Sequence, residues 1–264
     1  MTGASLLPVN VTLAVLLVVL LLVAAAVVHL FRLSPGPRSG RPRQIVIAGV
    51  RAAVQLAVVA SVITWAVRSV TGLVVFVAVM LAVAVRTAGR RLTGNRTWWL
   101  TLVPIGAGTL PPAVALPVTG LVPLKGIALI PVTGILIGGA LTVTVLSGRR
   151  ALDELEQRRG EVEAALALGF PEREARLEIA RPAASDALLP GLDQTRTVGL
   201  VTLPGAFVGM LLGGADPLMA GAVQLFVLIA LMAVQAVAVA LTVELVARRR
   251  LHRLPTPGRG APAG

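Results

Sequence analysis

Cysteine is absent from the 264 residues, which excludes disulfides, thiolate metal sites and cysteine nucleophiles. Lysine occurs once, in Leu124-Lys125-Gly126. A P-loop needs Gly-Lys followed by Ser or Thr to cradle phosphates, so ATP binding by this chain is not expected. Aromatics make up 3% of the sequence, too few to build a base-stacking platform, and the net charge of +12 is not read as nucleic-acid binding. Acidic residues number 12, and nine of them fall within residues 152–189. Glu244 is the only acid inside a long apolar run, close to its end and beside Arg248. Proton-coupled transport normally needs carboxylates near the bilayer midplane, and none is present. Charged residues total 14%, against about 25% in an average soluble domain.

What is present is apolar. Hydrophobic residues make up 56% of the chain and the mean hydropathy is +0.88. A single core at this length does not bury so much apolar surface. The polarity is also segregated, with long apolar runs alternating with short arginine-rich ones. The chain reads as an all-α polytopic membrane protein, and a soluble enzyme is excluded.

A crossing helix needs about 20 apolar residues. Seven candidate transmembrane helices meet that need: 10–31, 45–67, 70–85, 97–116, 126–146, 197–212 and 217–247. The first has no preceding Arg or Lys, is too long for a signal-peptide apolar core and is followed by Arg32, so it reads as a retained helix. Loop charges orient the set. Arginines cluster at 32–43, 86–96, 149–196 and 248–259, placing 21 of the 24 basic residues on one side. Arg68 and Lys125 lie on the other side, and Arg51 sits inside the second span. The positive-inside rule then puts the N-terminus outside and the C-terminus in the cytoplasm. His29 and His252 fall at span edges.

Pro111-Pro112, Pro131 and Pro204-Gly205 predict kinks or breaks within spans. Gly205, Gly209 and Gly213 recur every four residues, as do Gly134 and Gly138. Each row lets another backbone approach closely, either within the chain, the preferred reading, or across a subunit seam. Arg51 has Gln55 one turn further along the same face. Two readings of Arg51 stand together: snorkelling to cytoplasmic headgroups, or a place on a translocation path. Gln224 and Gln235 share a face of the last span, and packing is preferred for them over lining a path.

Residues 152–189 form the one sizeable polar stretch. Alternating acids and arginines with Leu155, Val162, Ala165, Leu166 and Leu168 predict an amphipathic helix up to Gly169. Gly169 can end one helix and Pro171 can occupy the first turn of the next, which should stop near Pro182. A short helix-turn-helix between spans five and six should dock on something.

Glu163-Ala164-Ala165, three residues, Gly169, nine residues, then Ile179-Ala180-Arg181-Pro182 resembles the EAA loop of ATP-binding-cassette (ABC) permeases. Arg181 departs from it where Leu is usual. Leu168-Gly169, Leu189-Pro190, Asp193, the run Thr197-Val198-Gly199-Leu200-Val201 and Leu203-Pro204-Gly205 resemble the bacterial iron-export ABC permease family, whose plant relatives are the aluminium-resistance permeases. Asp216-Pro217, Gln224, Arg51 with Gln55, and Ile130-Pro131 with Gly134 and Gly138 also fit. Gly139 stands where Asn is common, and Val223 where Tyr usually precedes Gln224.

The resemblance implies a permease subunit whose coupling segment seats in a separate ATPase subunit that binds the ATP. Its coupling residues are Glu163, Ala164, Ala165, Gly169, Pro171 and Ile179. It implies a homodimer in a bacterial cytoplasmic membrane, exporting iron or another metal ion or small solute. Arg51, Gln55, Pro204, Gly205, Gly209 and Gln224 are the translocation and gating candidates, with Pro204-Gly205 as a flexing point. No metal site can be assembled from the span residues, and no cofactor or enzymatic activity is expected of this chain. An ion-coupled secondary transporter and an ABC permease for an organic substrate such as a sugar nucleotide are the alternatives. Residues 1–247 form the expected permease domain, including the coupling segment 148–190. Residues 248–264 form a basic, Pro/Gly-rich cytoplasmic tail.

Overall fold

The computed structural model describes residues 10–33, 40–120 and 126–253; the tail expected over 254–264 lies outside the described residues. Among the described residues ten α-helices follow in order: α1 Val11–Leu30, α2 Arg41–Ala66, α3 Val70–Leu92, α4 Leu102–Val118, α5 Gly126–Gln157, α6 Arg159–Ala167, α7 Glu172–Ser185, α8 Leu189–Thr197, α9 Gly205–Leu212 and α10 Pro217–Ala247. Short 3-10 turns, Arg96–Thr101 and Asp186–Leu188, lead into α4 and α8. The chain divides into two compact units, Met1–Trp65 and Ala66–Gly264.

In the first unit, Asn10 caps α1 by accepting a hydrogen bond from the Leu13 amide at 3.0 Å. None of the α1 side chains is buried. A helix apolar on every side and this exposed needs lipid around it. Gly49 of α2 faces Leu21 of α1, and a Cβ there would lie 2.8 Å from the leucine methyls.

In the second unit α5 is the central element, packed against α3, α4, α7 and α10. The core joins Val85 and Leu92 of α3, Leu136 and Val143 of α5, Ile179 and Ala180 of α7, and Val234 and Val246 of α10. Glycines sit where backbones cross. Gly108 of α4 faces the Val234 carbonyl of α10, and Gly148 of α5 fits between Leu92 and Thr242. Hydroxyls in this core bond back to their own helices, Thr109 to the Ile105 carbonyl at 2.7 Å and Ser147 to that of Val143 at 2.6 Å. These two buried hydroxyls are thereby satisfied without water, whereas Thr144 Oγ1 has no partner among the described residues.

Among the described residues six helical stretches are long and apolar enough to cross a membrane: α1, α2, α3, Arg96–Val118, Leu129–Gln157 and α10. The sixth expected span, 197–212, is not one helix. α8 ends at Thr197, residues 198–204 form a tight turn, and α9 has 8 residues. Proline acts unevenly. Helix α4 runs on through Pro111 and Pro112, and α5 through Pro131, whereas Pro204 stands before α9 with extended ψ 141. Neighbours pack α4 and α5 tightly enough to hold a helix missing one amide donor. At 198–204 the Gly199 turn has already released the chain.

Candidate coupling segment and translocation cavity

The polar stretch begins inside α5 itself. At 32 residues the helix spans about 48 Å, well beyond the roughly 30 Å of hydrocarbon. Its last turns carry Leu155 into the core, and α6 follows as a separate helix of 9 residues. Arg158 pairs with Glu154 and Glu161, and Arg159 with Glu163 at 2.8 Å. The Arg158 guanidinium hydrogen-bonded to Glu161 holds that carboxyl below its usual range.

Gly169 takes φ +90, the left-handed conformation that costs a Cβ-bearing residue about 1–2 kcal/mol. Its amide donates to the Leu166 carbonyl at 3.0 Å, and the Phe170 amide to that of Ala165 at 3.1 Å. These two bonds close a Schellman motif. Pro171 is the residue before α7 rather than its first turn. The helix also does not stop near Pro182 but continues to Ser185, because Ile179, Ala180 and Ala184 keep burying the same side.

The sequence-expected coupling residues separate by environment. Glu163, Ala164, Gly169 and Pro171 are exposed and Ala165 is half-buried, whereas Ile179 is buried in the core. The turn also presents apolar side chains: Leu168 is 79% exposed, Phe170 53% and Leu166 39%. An apolar tip on an otherwise charged segment has no partner within the described residues.

What holds this segment was not legible in the sequence. Arg173 of α7 grips Glu244 of α10 bidentately at 2.6 and 2.8 Å, and Arg248 approaches the same carboxylate at 2.5 Å. The hydrogen bond to Glu244 raises the Arg173 pKa further above its ordinary value. Arg249 pairs with Glu172, Arg150 with Asp186 at 2.7 Å, and Arg253 with Asp153. Arg176 donates to the Ala247 carbonyl at 3.0 Å and the Val246 carbonyl at 3.2 Å, capping the negative end of the α10 dipole. Burial, with Arg249 nearby, pushes the Arg176 pKa down. Glu244 as the lone acid in an apolar run was the available signal. Replacing Arg176 by Met should lower stability by about 1–2 kcal/mol after solvent screening. Thermal unfolding of the purified protein in detergent checks this, and an unchanged midpoint would remove the capping role.

From α7 the chain moves along α10 toward its start. Gly191 of α8 lies against Gln235, which also flanks Gly139 of α5. Thr197 closes α8 with its carbonyl accepting from Val201 at 2.9 Å, and Gly199 turns at φ +82. Residues 198–207 then face Gly221, Gln224 and Leu228 across a cavity of about 330 Å³. Pro204 and Phe207 form part of its wall. Gln224 is 5% exposed, and its Oε1 has no hydrogen-bond partner among the described residues. A buried unpaired acceptor costs roughly 1–3 kcal/mol.

The translocation candidates are thus only partly assembled. Pro204 and Gln224 share this cavity. Gly205 and Gly209 do not line it, and a Cβ on either would meet nothing within 4 Å. Their row is open, against the preferred reading of packing within the chain. Arg51 and Gln55 are exposed on α2, in the other unit. No group of three His, Asp or Glu side chains able to hold a metal occurs among the described residues.

Comparison with known proteins gives the family. Residues 9–251 match the family described as "Uncharacterised protein family (UPF0014)". The rice "UPF0014 membrane protein STAR2" is 35% identical over 211 residues, 79% of this chain and 74% of that protein. The Arabidopsis thaliana "Protein ALUMINUM SENSITIVE 3" is 38% identical over 150 residues, 56% of this chain and 55% of that protein. The Escherichia coli "Probable iron export permease protein FetB" is 30% identical over 129 residues, 47% of this chain and 48% of that protein. No solved structure matches. With several apolar helices and a family match over nearly its whole length, the chain is a multi-pass membrane protein and belongs to the UPF0014 family.

Proposed function

We propose that this chain is the permease subunit of an ABC transporter in a bacterial cytoplasmic membrane, with residues 1–247 as its permease domain. It works as a homodimer driven by a separate ATPase subunit and exports iron or another metal ion or small solute. The observation that carries this reading is the helix-turn-helix α6–α7. Ion pairs fix α7 to α10, the segment extends from α5, and it ends in the exposed apolar tip Leu166, Leu168 and Phe170. A soluble partner with a complementary groove covers that tip, and a movement there passes into α5 and α10 through the core.

Export and iron rest on the printed name of the Escherichia coli relative, to which this chain is 30% identical over 129 residues. The homodimer is supported by need and by surface. One chain offers one coupling segment, and the glycine row on α9 stands open beside the exposed Leu200, Leu212 and Leu218. The seventh crossing in this reading is the broken path α8–turn–α9. It rises beside α10 from the level of Gln235 to that of Gly221, and Pro204-Gly205 is its flexing point. The N-terminus then lies outside and the C-terminus in the cytoplasm, as the arginine distribution requires.

A mild-detergent pull-down tests the reading. Wild-type tagged protein should retain a stoichiometric ATPase subunit, and Leu168→Asp/Phe170→Asp should lose it while remaining monodisperse. If wild type brings down no ATPase, the ABC assignment falls.

A further inference from the structure

A second cavity, of about 660 Å³, opens where α3 turns into α4. Arg86 and Arg90 of α3, Arg96 and Trp98 of the 3-10 turn, and His252 beyond α10 surround it. No carboxylate lines it, and none of its three arginines takes part in an ion pair among the described residues. Arg86 and Arg90 stand four residues apart on one helix face, where like charges repel. The Arg86 guanidinium lies 6.0 Å from the centre of the Trp98 indole, a contact that orients the cation without neutralising it. Three unpaired cations around one cavity call for an anion.

The surface beside the cavity says what kind. Val75, Val79 and Val83 are 45%, 56% and 49% exposed. With Arg86 and Arg90 they fall within an arc of about 80° of α3. An exposed apolar track thus leads along the helix and ends at the arginines, and Trp99, next in the chain to Trp98, is 55% exposed. Tryptophan beside basic residues is the composition of the headgroup level. We propose that this cavity binds the phosphate of an anionic phospholipid, with an acyl chain lying along Val75, Val79 and Val83. A free phosphate fills the arginine end but leaves the apolar track uncovered.

The site is tied to the rest of the bundle. Asn95 Nδ2 donates to the His252 carbonyl at 2.8 Å, and Arg149 of α5 donates to the Arg91 carbonyl at 3.1 and 3.2 Å. It therefore lies at the end of the bundle where α7 grips α10. The lipid site stands whether or not an ATPase docks at the α6–α7 turn.

Intrinsic fluorescence of the full chain in neutral detergent, in a Trp65→Phe background, reports on Trp98 and Trp99. Dihexanoyl phosphatidylglycerol should change it saturably, with half-saturation about ten-fold below that of dihexanoyl phosphatidylcholine. Arg86→Gln/Arg96→Gln should weaken the response to phosphatidylglycerol about ten-fold, and Arg250→Gln should leave it unchanged. Equal responses to the two lipids overturn the proposal, as does equal weakening by Arg250→Gln, which marks diffuse surface charge. Inorganic phosphate reproducing the whole response also overturns it, in favour of a soluble-anion site. If the double variant does not fold, Arg90→Gln alone must weaken the response for the site to stand.

Discussion

Gly89→Ala should destabilise the protein by about 2–3 kcal/mol, the upper end of what overpacking costs in a well-packed site. A Cβ on Gly89 would stand 2.4 Å from the Trp98 carbonyl oxygen and 2.7 Å from its Cβ. Those atoms belong to the backbone and stem of the turn Arg96–Thr101, not to the end of a flexible side chain. The turn itself must move. Thr101, which bonds the Val85 carbonyl at 3.0 Å and that of Trp98 at 2.8 Å, would lose one of them. Gly94→Ala is the control. Gly94 has φ +62 but nothing within 4 Å, so it pays the left-handed conformation alone, about 1 kcal/mol. Melting curves of the two purified variants should separate by several degrees. Equal shifts would mean that the close approach to Trp98 contributes nothing.

The second large effect concerns transport. Under the proposed function, Gly169→Arg should abolish transport, an at least ten-fold loss, while the protein still accumulates and folds, melting only a few degrees below wild type. The separation follows from where the residue sits. Gly169 is exposed at the tip with nothing within 4 Å, so the cost to folding is the left-handed φ, about 1–2 kcal/mol. The cost to docking is a bulky cation placed between Leu168 and Phe170. Metal-efflux assays on cells carrying each variant read the difference. Gly169→Ala should fall between the two, since it keeps the tip apolar. Wild-type export by Gly169→Arg would remove the tip from the coupling role. Gly205→Ala asks a separate question, because its Cβ fits without contact and only backbone freedom is lost. Export at the wild-type level would discard Pro204-Gly205 as the flexing point and leave the tip untouched.

The all-helical membrane architecture was legible because apolar runs of about 20 residues admit few other structures. The Gly169 turn was legible as well, since a glycine followed by Phe170-Pro171 carries its conformation in its residue types. The failures have a common cause. Hydropathy treats residues 197–212 as one span because Leu200, Val201 and Leu203 are as apolar in a turn as in a helix. Pro182 looked like a stop because local chemistry cannot register that α5 and α10 pack against α7, which buries Ile179 and Ala180 before it and Ala184 beyond it. The grip of Arg173 on Glu244 joins residues 71 positions apart, and no local pattern announces it. Gln224 was visible as an amide on a helix face, but its unpaired oxygen appears only once residues 198–207 fold back over it.

Helix α5 has no break along its 32 residues, and this sets how displacement divides along the molecule. A rigid rod of about 48 Å that tilts by about 10° around its middle carries each end about 4 Å, in opposite directions. A push at the Gln157 end therefore returns as an equal and opposite swing at the Gly126 end, with the middle nearly still. Gly139 and its contact with Leu231 lie near that pivot, where a close fit survives the tilt.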